Sequence, residues 1–388
     1  MKFIILQSKL KEGLGIVERL VGKNLTLPIL NNILVSVQKN FLNLAATDLE
    51  LGIKWWSLVK VEEEGEIVIP GRILSSFVNY FPNKPIKLET KDKTLFVECE
   101  NYQTQIKFFK TEDFPIIPQV KEEIIILNNS LFCKNLALVS DIPQPSPARV
   151  EISGIYVSLQ KNLIKLVGTD SFRLGEKKIF LEKTTTKDFS FILPQRTTKE
   201  LIGVLGEKKG ELKVFSSPNQ VMFELPMEET THPQIQIVSR LIEGQYPNYE
   251  DVIPKKYRTT VVLPKNEFLN QIKAASVFSG RTNEVKFEAN PKKERFEIFS
   301  QNPEYGQYKS FLPAKIKGEE TEISFNYKYL IDGLVNIESS EVVFELNKLT
   351  DETEENKEHK EKKGEGPGVL KPVGDQSYTY VVMPINPS

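Results

Sequence analysis

Histidine and cysteine are nearly missing from this chain, each occurring twice in 388 residues. His232 and His359 leave little room for imidazole catalysis or a zinc site, and His359 lies in a charged low-complexity run. Cys99 and Cys133 are too few for a disulfide framework and lack C-x-x-C spacing. Both are expected as reduced, partly buried small side chains in a cytosolic, hence cytoplasmic, protein. Long apolar runs are missing too. No stretch reaches the roughly 18 residues of a membrane-spanning helix. Phe3-Ile4-Ile5-Leu6 is too short for a signal peptide and precedes no small-residue cleavage site. Neither charge dominates: 51 Lys and Arg meet 52 Asp and Glu, for a net charge of −1. That balance excludes a uniformly basic nucleic-acid binder but allows a basic face offset by an acidic one.

Catalytic motifs are absent as well. Gly22-Lys23 is no phosphate loop, because Val17 stands where its first glycine belongs. No G-x-G-x-x-G opens a helix, and neither G-x-S-x-G nor H-E-x-x-H occurs. Glu62-Glu63-Glu64 runs into Gly65 and reads as a solvated turn. No catalytic residue, metal or cofactor is therefore expected, and the chain does not read as an enzyme.

What is present is repetition. The length suggests two or three domains at about 150 residues each, and 40% hydrophobic with 27% charged residues is ordinary globular usage. A short apolar strand leads into a helical pattern three times. Lys2–Leu6 precedes Leu10, Leu14 and Val17, with Ser8 as a candidate N-cap. Ile124–Leu127 precedes Phe132, Leu136 and Val139, and Thr260–Leu263 precedes Phe268, Ile272 and Ala275. A second phrase alternates in strand fashion and ends in Thr-Asp at Thr47-Asp48 and Thr169-Asp170; its third copy, Phe296–Asn302, lacks that ending. The recurring aspartates invite a metal or acid–base reading, but their place at strand ends predicts side-chain bonds to nearby backbone N–H groups. A third phrase sets Ile67–Pro70, Phe191–Pro194 and Ile323–Asn326 before a second helix. Those helices carry Leu74, Phe77 and Val78, then Leu201, Val204 and Leu205, then Leu330, Leu334 and Val335.

The pattern predicts an α+β chain of three similar domains, each with two amphipathic helices packed on antiparallel sheets. The breaks are expected after Asp113–Pro118 and after Tyr246–Tyr249, both rich in proline and aromatics and so read as ordered connectors. Domains are placed at 1–120, 121–253 and 254–388. Residues 350–368 have no strongly apolar side chain before Gly368 and read as a disordered insertion.

Five stretches, in order, carry a family resemblance: Leu27–Leu34, Ala46–Glu50, Gly168–Leu174, Glu243–Tyr249 and the closing Tyr380-Val381-Val382-Met383-Pro384. Across essentially its whole length the chain resembles the bacterial DNA polymerase III beta subunit, the replicative sliding clamp. The resemblance implies the DNA-clamp (processivity) fold, with two chains joined head to tail in a closed ring of six domains. A head-to-tail interface closes when each step turns by the same angle, which near-identical domains supply. Such a homodimer would encircle duplex DNA, tether the polymerase by topology and need only weak, salt-dependent phosphate attraction. The implied partners are double-stranded DNA without sequence preference, the DNA polymerase III alpha subunit, the clamp loader delta subunit, and other polymerases and repair proteins through short linear motifs. No membrane is implied.

Candidate bore residues at the ends of predicted helices are Lys9, Lys11, Lys23, Arg72, Arg149, Arg196 and Lys199; matching to the family favours Lys23, Arg72, Arg149 and Arg196. The resemblance also implies a hydrophobic peptide-binding cleft between the second and third domains. Its lining would be Ile152, Thr169, Phe172, Arg173, Leu174, Pro247, Val252, Val381, Val382, Met383 and Pro384. The implied dimer seam holds Ile106, Val277 and Phe278. Phe172 stands where some members carry histidine, Asp251 where a basic residue is common, and the tail Ile385–Ser388 departs from the usual apolar-basic ending. Two other readings stay open: a metal-dependent enzyme acting on DNA or nucleotides through Asp48 or Asp170, and a structural repeat module that binds no nucleic acid.

Overall fold

The computed structural model of the chain describes residues 1–22, 26–182, 188–347 and 366–385. Lys23 and residues 350–365 of the expected insertion lie outside them. Gly366 and Gly368 are described, and they correct the end of that insertion. The Gly366 amide donates to the Asn347 carbonyl at 3.0 Å, and Gly368 begins a strand, Gly368–Pro372.

Six α-helices occur among the described residues, two for each repeat: α1 (Gln7–Val17), α2 (Gly71–Tyr80), α3 (Asn129–Ser140), α4 (Gln195–Leu205), α5 (Lys265–Ser276) and α6 (Tyr327–Val335). The apolar positions read from spacing are the ones that pack. Leu10, Leu14 and Val17, Phe132, Leu136 and Val139, and Phe268, Ile272 and Ala275 are all buried. In the second helices Leu74 and Val78, and Leu330 and Leu334, are buried at i, i+4, whereas Phe77 and Val335 turn to solvent. Both lie beside the buried stripe rather than on it. The α1 start differs from expectation. The Lys2–Leu6 strand runs straight into the helix, so Leu6 takes the N-cap position, and Ser8 lies inside the first turn. The Gln7 side chain is drawn inward to donate to the Val78 carbonyl at 2.7 Å.

The chain divides into two compact units, one of Met1–Lys134 with Arg196–Glu243 and one of Asn135–Gln195 with Gly244–Ser388. The first holds a five-stranded and an eight-stranded antiparallel sheet. In the larger sheet Pro233–Arg240 pairs with Leu51–Leu58, so strands of the first and middle repeats share one hydrogen-bonded layer. The second unit holds a nine-stranded and a four-stranded sheet. There Arg173–Phe180 pairs with Tyr378–Val382, joining middle and last repeats in the same way. Continuous ladders through the middle repeat are why it does not separate as a compact body.

Both expected connectors are ordered. Ile117 and Val120 are buried against Ala45, Met222 and Val238, and Tyr246 and Tyr249 are buried in the second unit. Close approach requires glycine at position 52, where a Cβ would stand 2.7 Å from Ile117 Cγ2. Cys99 and Cys133 are free and buried. Burial pushes the Cys133 thiol up to about 12.

Candidate functional site

The site grows from a turn that the chain makes twice. Asp48 Oδ1 accepts from the Glu50 and Leu51 amides at 3.1 and 2.8 Å, and Asp170 Oδ1 accepts from the Phe172 and Arg173 amides at 3.0 and 2.9 Å. Thr47 and Thr169 hydroxyls donate across their turns to the Leu51 and Arg173 carbonyls at 2.9 and 2.8 Å. Leu49 and Ser171, at φ 78° and 76°, take the left-handed step each turn needs. The local role read for both aspartates thus holds. The third repeat keeps part of it, since Asn302 Oδ1 accepts from the Glu304 amide at 2.8 Å, a feature hidden by the change from aspartate to asparagine.

In the second unit the turn presents Arg173 inward. Its Nε donates to Asp170 Oδ2 at 3.0 Å, and its Nη1 bonds Asp332 on α6. The guanidinium also lies 4.9 Å from the Tyr329 ring centroid. Burial works against this charge, and Tyr380, Asp332 and Asp170 outweigh it, so the pKa is raised. Arg173 is thereby fixed beside Leu174, which pairs with Val381 on the neighbouring strand. Above that floor the Tyr246–Val252 connector is pinned at two points. Tyr249 donates its hydroxyl to Glu176 at 2.7 Å, and Lys165 meets Glu250 at 2.6 Å. Tyr246 stacks on Tyr156, their ring centroids 4.9 Å apart. Burial, then the Glu176 carboxylate, push the Tyr249 phenol up.

A cavity of about 190 Å³ remains between turn, floor and connector. Seven of the expected residues line it: Thr169, Arg173, Leu174, Pro247, Val252, Val381 and Met383. Four do not. Ile152 and Val382 are buried elsewhere, because strand alternation sends Val382 to the face opposite Val381. Phe172 is 60% exposed and stacks on Tyr329, and Pro384 bridges to Phe325. Sequence reasoning missed Ser171, Tyr246, Asn248 and Tyr249 in the lining. A signal for the connector was present: aromatic-Pro followed by valine five positions on occurs at Phe114-Pro115…Val120 and again at Tyr246-Pro247…Val252.

The basic candidates scatter. Arg149 is not on a helix face: it stands on the loop after α3, lines the cavity and donates to Ser171 Oγ at 3.0 Å. Arg72 is exposed on α2 and bonds the Val21 carbonyl at 2.7 Å. Arg196 on α4 pairs with Asp48 at 2.6 Å, Lys199 is exposed on the same helix, and Lys9 and Lys11 are exposed on α1. Of the seam residues, Val277 is 70% exposed and Phe278 stacks on Tyr308. Ile106 is 4% exposed, so its side chain belongs to its own core, although its strand, Tyr102–Lys107, forms a sheet edge. No helix among the described residues is long and apolar enough to cross a membrane.

Family models for the DNA polymerase III beta subunit match the chain in three places: the N-terminal domain at 1–118, the central domain at 144–248 and the C-terminal domain at 250–386. A beta sliding clamp of Synechocystis is 27% identical over 414 residues, covering 99% of each chain. That of Synechococcus elongatus is 26% identical over 394 residues, again covering 99% of each. The crystal structure of the DNA polymerase sliding clamp from Bacillus subtilis shares the fold, with a TM-score of 0.90 at 23% identity over 100% of both chains.

Proposed function

The chain belongs to the DNA polymerase III beta subunit family and has the function of a DNA sliding clamp, and from that premise we propose how its parts divide the work. Two copies close head to tail into a ring around duplex DNA, with clamp domains at 1–120, 121–253 and 254–388. Arg72, Arg196 and Lys199 face the bore, where weak phosphate attraction centres the duplex without arresting it; Lys23, which matching to the family also favours, lies outside the described residues. Retention comes from topology, so the protein needs no catalytic step and is not an enzyme. It works in the cytoplasm.

Among the edge strands of the described residues, Tyr102–Lys107 in the five-stranded sheet and Gly306–Pro313 in the four-stranded one support the dimer. Exposed Val277 and Tyr305 support an apolar seam in the third repeat. Pairing such edges satisfies backbone groups that otherwise invite aggregation.

The cavity over Leu174 and Val381 carries the recruitment reading, because seven matched residues converge there. It takes apolar anchors of short peptides from the polymerase alpha subunit, the clamp loader delta subunit, and other polymerases and repair proteins. Each buried anchor adds roughly 1.5–3 kcal/mol before ordering losses. Exchange between partners then stays fast. Arg149 joins this site rather than the bore.

Loading on nicked circular DNA by a bacterial clamp loader with ATP tests the ring. Retention on the circle and prompt loss after linearisation is the expected result. Equal retention on both forms means ordinary DNA binding and ends the topological reading.

A further inference from the structure

Beyond the Tyr249–Val252 turn, the sheet face that floors the cleft opens into a larger groove of about 780 Å³. The two hollows share strands. Leu174 and Val381 face the cleft, while Glu176 and Thr379 line the groove. Each of the latter lies two residues along the same strand, on the same face and about 7 Å away. An extended chain seated in the cleft therefore needs few residues to reach the groove.

Charge at the near end of the groove is unbalanced. Lys165 meets Glu250 at 2.6 Å, and Lys178 meets Glu176 at 2.9 Å, while the other Glu176 oxygen accepts from Tyr249. Lys255 is exposed and has no ion-pair partner among the described residues. Lys165 through its hydrogen bond, then Lys178 and Lys255 through charge, hold the Glu250 carboxyl below its usual range. Three ammonium groups thus face two carboxylates, one of them already engaged by a phenol. Farther along, Lys371 pairs with Glu345 at 2.7 Å, and Asp375 is engaged at 3.6 Å by Lys177 from outside the lining, so the excess of ammonium groups is confined to the near end.

We propose that this groove receives the residues flanking the apolar anchors of a bound peptide and selects flanks that carry carboxylates at the Lys165, Lys178 and Lys255 end. The inference rests on reading the cleft as a peptide site, and its test separates the two.

Three synthetic peptides share the apolar core Leu-Gly-Leu-Phe, chosen to set leucine and phenylalanine side chains against Leu174, Val381 and Met383, and carry Gly-Ser, Glu-Glu or Lys-Lys at both ends. Their dissociation constants are measured by fluorescence anisotropy on the full chain at low salt and in 1 M NaCl. The Glu-flanked peptide should bind about fivefold tighter than the neutral one at low salt, the scale of one or two partly exposed ion pairs. The Lys-flanked peptide should be the weakest. The difference should vanish at 1 M salt, where screening acts within about 3 Å. In Lys255→Glu, and in Lys178→Ala, the ratio of Glu-flanked to neutral affinity should fall toward one. Neutral and Glu-flanked peptides binding equally well overturns the groove and leaves the cleft standing. An advantage that survives both substitutions also overturns it. Failure of all three peptides to bind removes the cleft reading, and this inference with it.

Discussion

Gly52 and Leu174 occupy the same step of the repeated turn, paired across their hairpins with Thr47 and Thr169, and they meet their connectors differently. Over Gly52 the first connector drops Ile117 into contact, and Ile117 joins Val120 and Val238 in an apolar cluster. Over Leu174 the second connector is lifted on the Tyr249–Glu176 bond, and a cavity stays open. A second hollow, of about 420 Å³, lies beside the first connector and is lined by Ala45, Lys54, Phe114 and Ile117, so the two repeats differ in what fills the space over the turn and not in whether space is left.

Gly52→Ala should destabilise the first unit by about 1–3 kcal/mol, since the added methyl collides with buried Ile117. Urea unfolding followed by tryptophan fluorescence reports it, because buried Trp55 lies on the same strand. An unchanged midpoint would mean that Ile117 can move aside freely.

Arg173→Ala and Asp332→Ala should differ in size. Removing Arg173 leaves the 7%-exposed Asp170 side chain without its cation, for about 2–4 kcal/mol. Asp332 is 53% exposed and Arg173 keeps Asp170, so its loss should cost about 1 kcal/mol or less. Thermal unfolding of both variants checks the order; a larger effect at Asp332 contradicts it.

Met383 lines the cavity yet is 36% exposed, so Met383→Ala should leave folding intact and weaken an apolar peptide about three- to tenfold, the scale of a partly buried side chain. Titration calorimetry with the neutral-flanked peptide reads the change.

Val277→Glu should shift the chain from dimer to monomer in light scattering, because this side chain is 70% exposed while Ile106 is held in the core. Ile106→Glu, by contrast, should lower stability by several kcal/mol through burial of an unpaired charge, whatever the assembly state. A Val277→Glu protein that stays dimeric moves the seam elsewhere.

Acid should loosen the cleft wall. The Glu250 carboxyl is depressed in the folded chain, first by its hydrogen bond to Lys165. Its stabilising share is present above the ordinary carboxylate pKa near about 4.3 and is lost as pH falls through the lowered folded value. Glu250→Gln should remove that part of the acid dependence of peptide binding while leaving the neutral limb flat. Identical acid profiles for the two proteins would assign the loss to other carboxylates.

Much of this was legible in the sequence because it is local. Period and spacing located the six helices through residues such as Leu10, Leu136 and Phe268, and the Thr-Asp turns followed from side chains that bond their own backbone. Departures fell where spacing alone leaves the local geometry or the packing undecided. Ser8 lost the cap position because strand and helix meet without a loop, and Phe172 stacks on Tyr329 while its neighbour Arg173 lines the cavity. Arg149, read as a helix-end residue, stands at the start of the short Val150–Ile152 turn on the cavity rim. By itself, then, the sequence determined the repeats, the elements and the family, because periodicity, turn chemistry and ordered motifs are written along the chain. Only the tertiary structure decided which side chain each connector sets over its turn, and where three lysines gather around Glu250. Those outcomes depend on contacts between residues some 65 to 85 positions apart, such as Gly52 with Ile117 and Lys165 with Glu250, whose meeting no local pattern encodes.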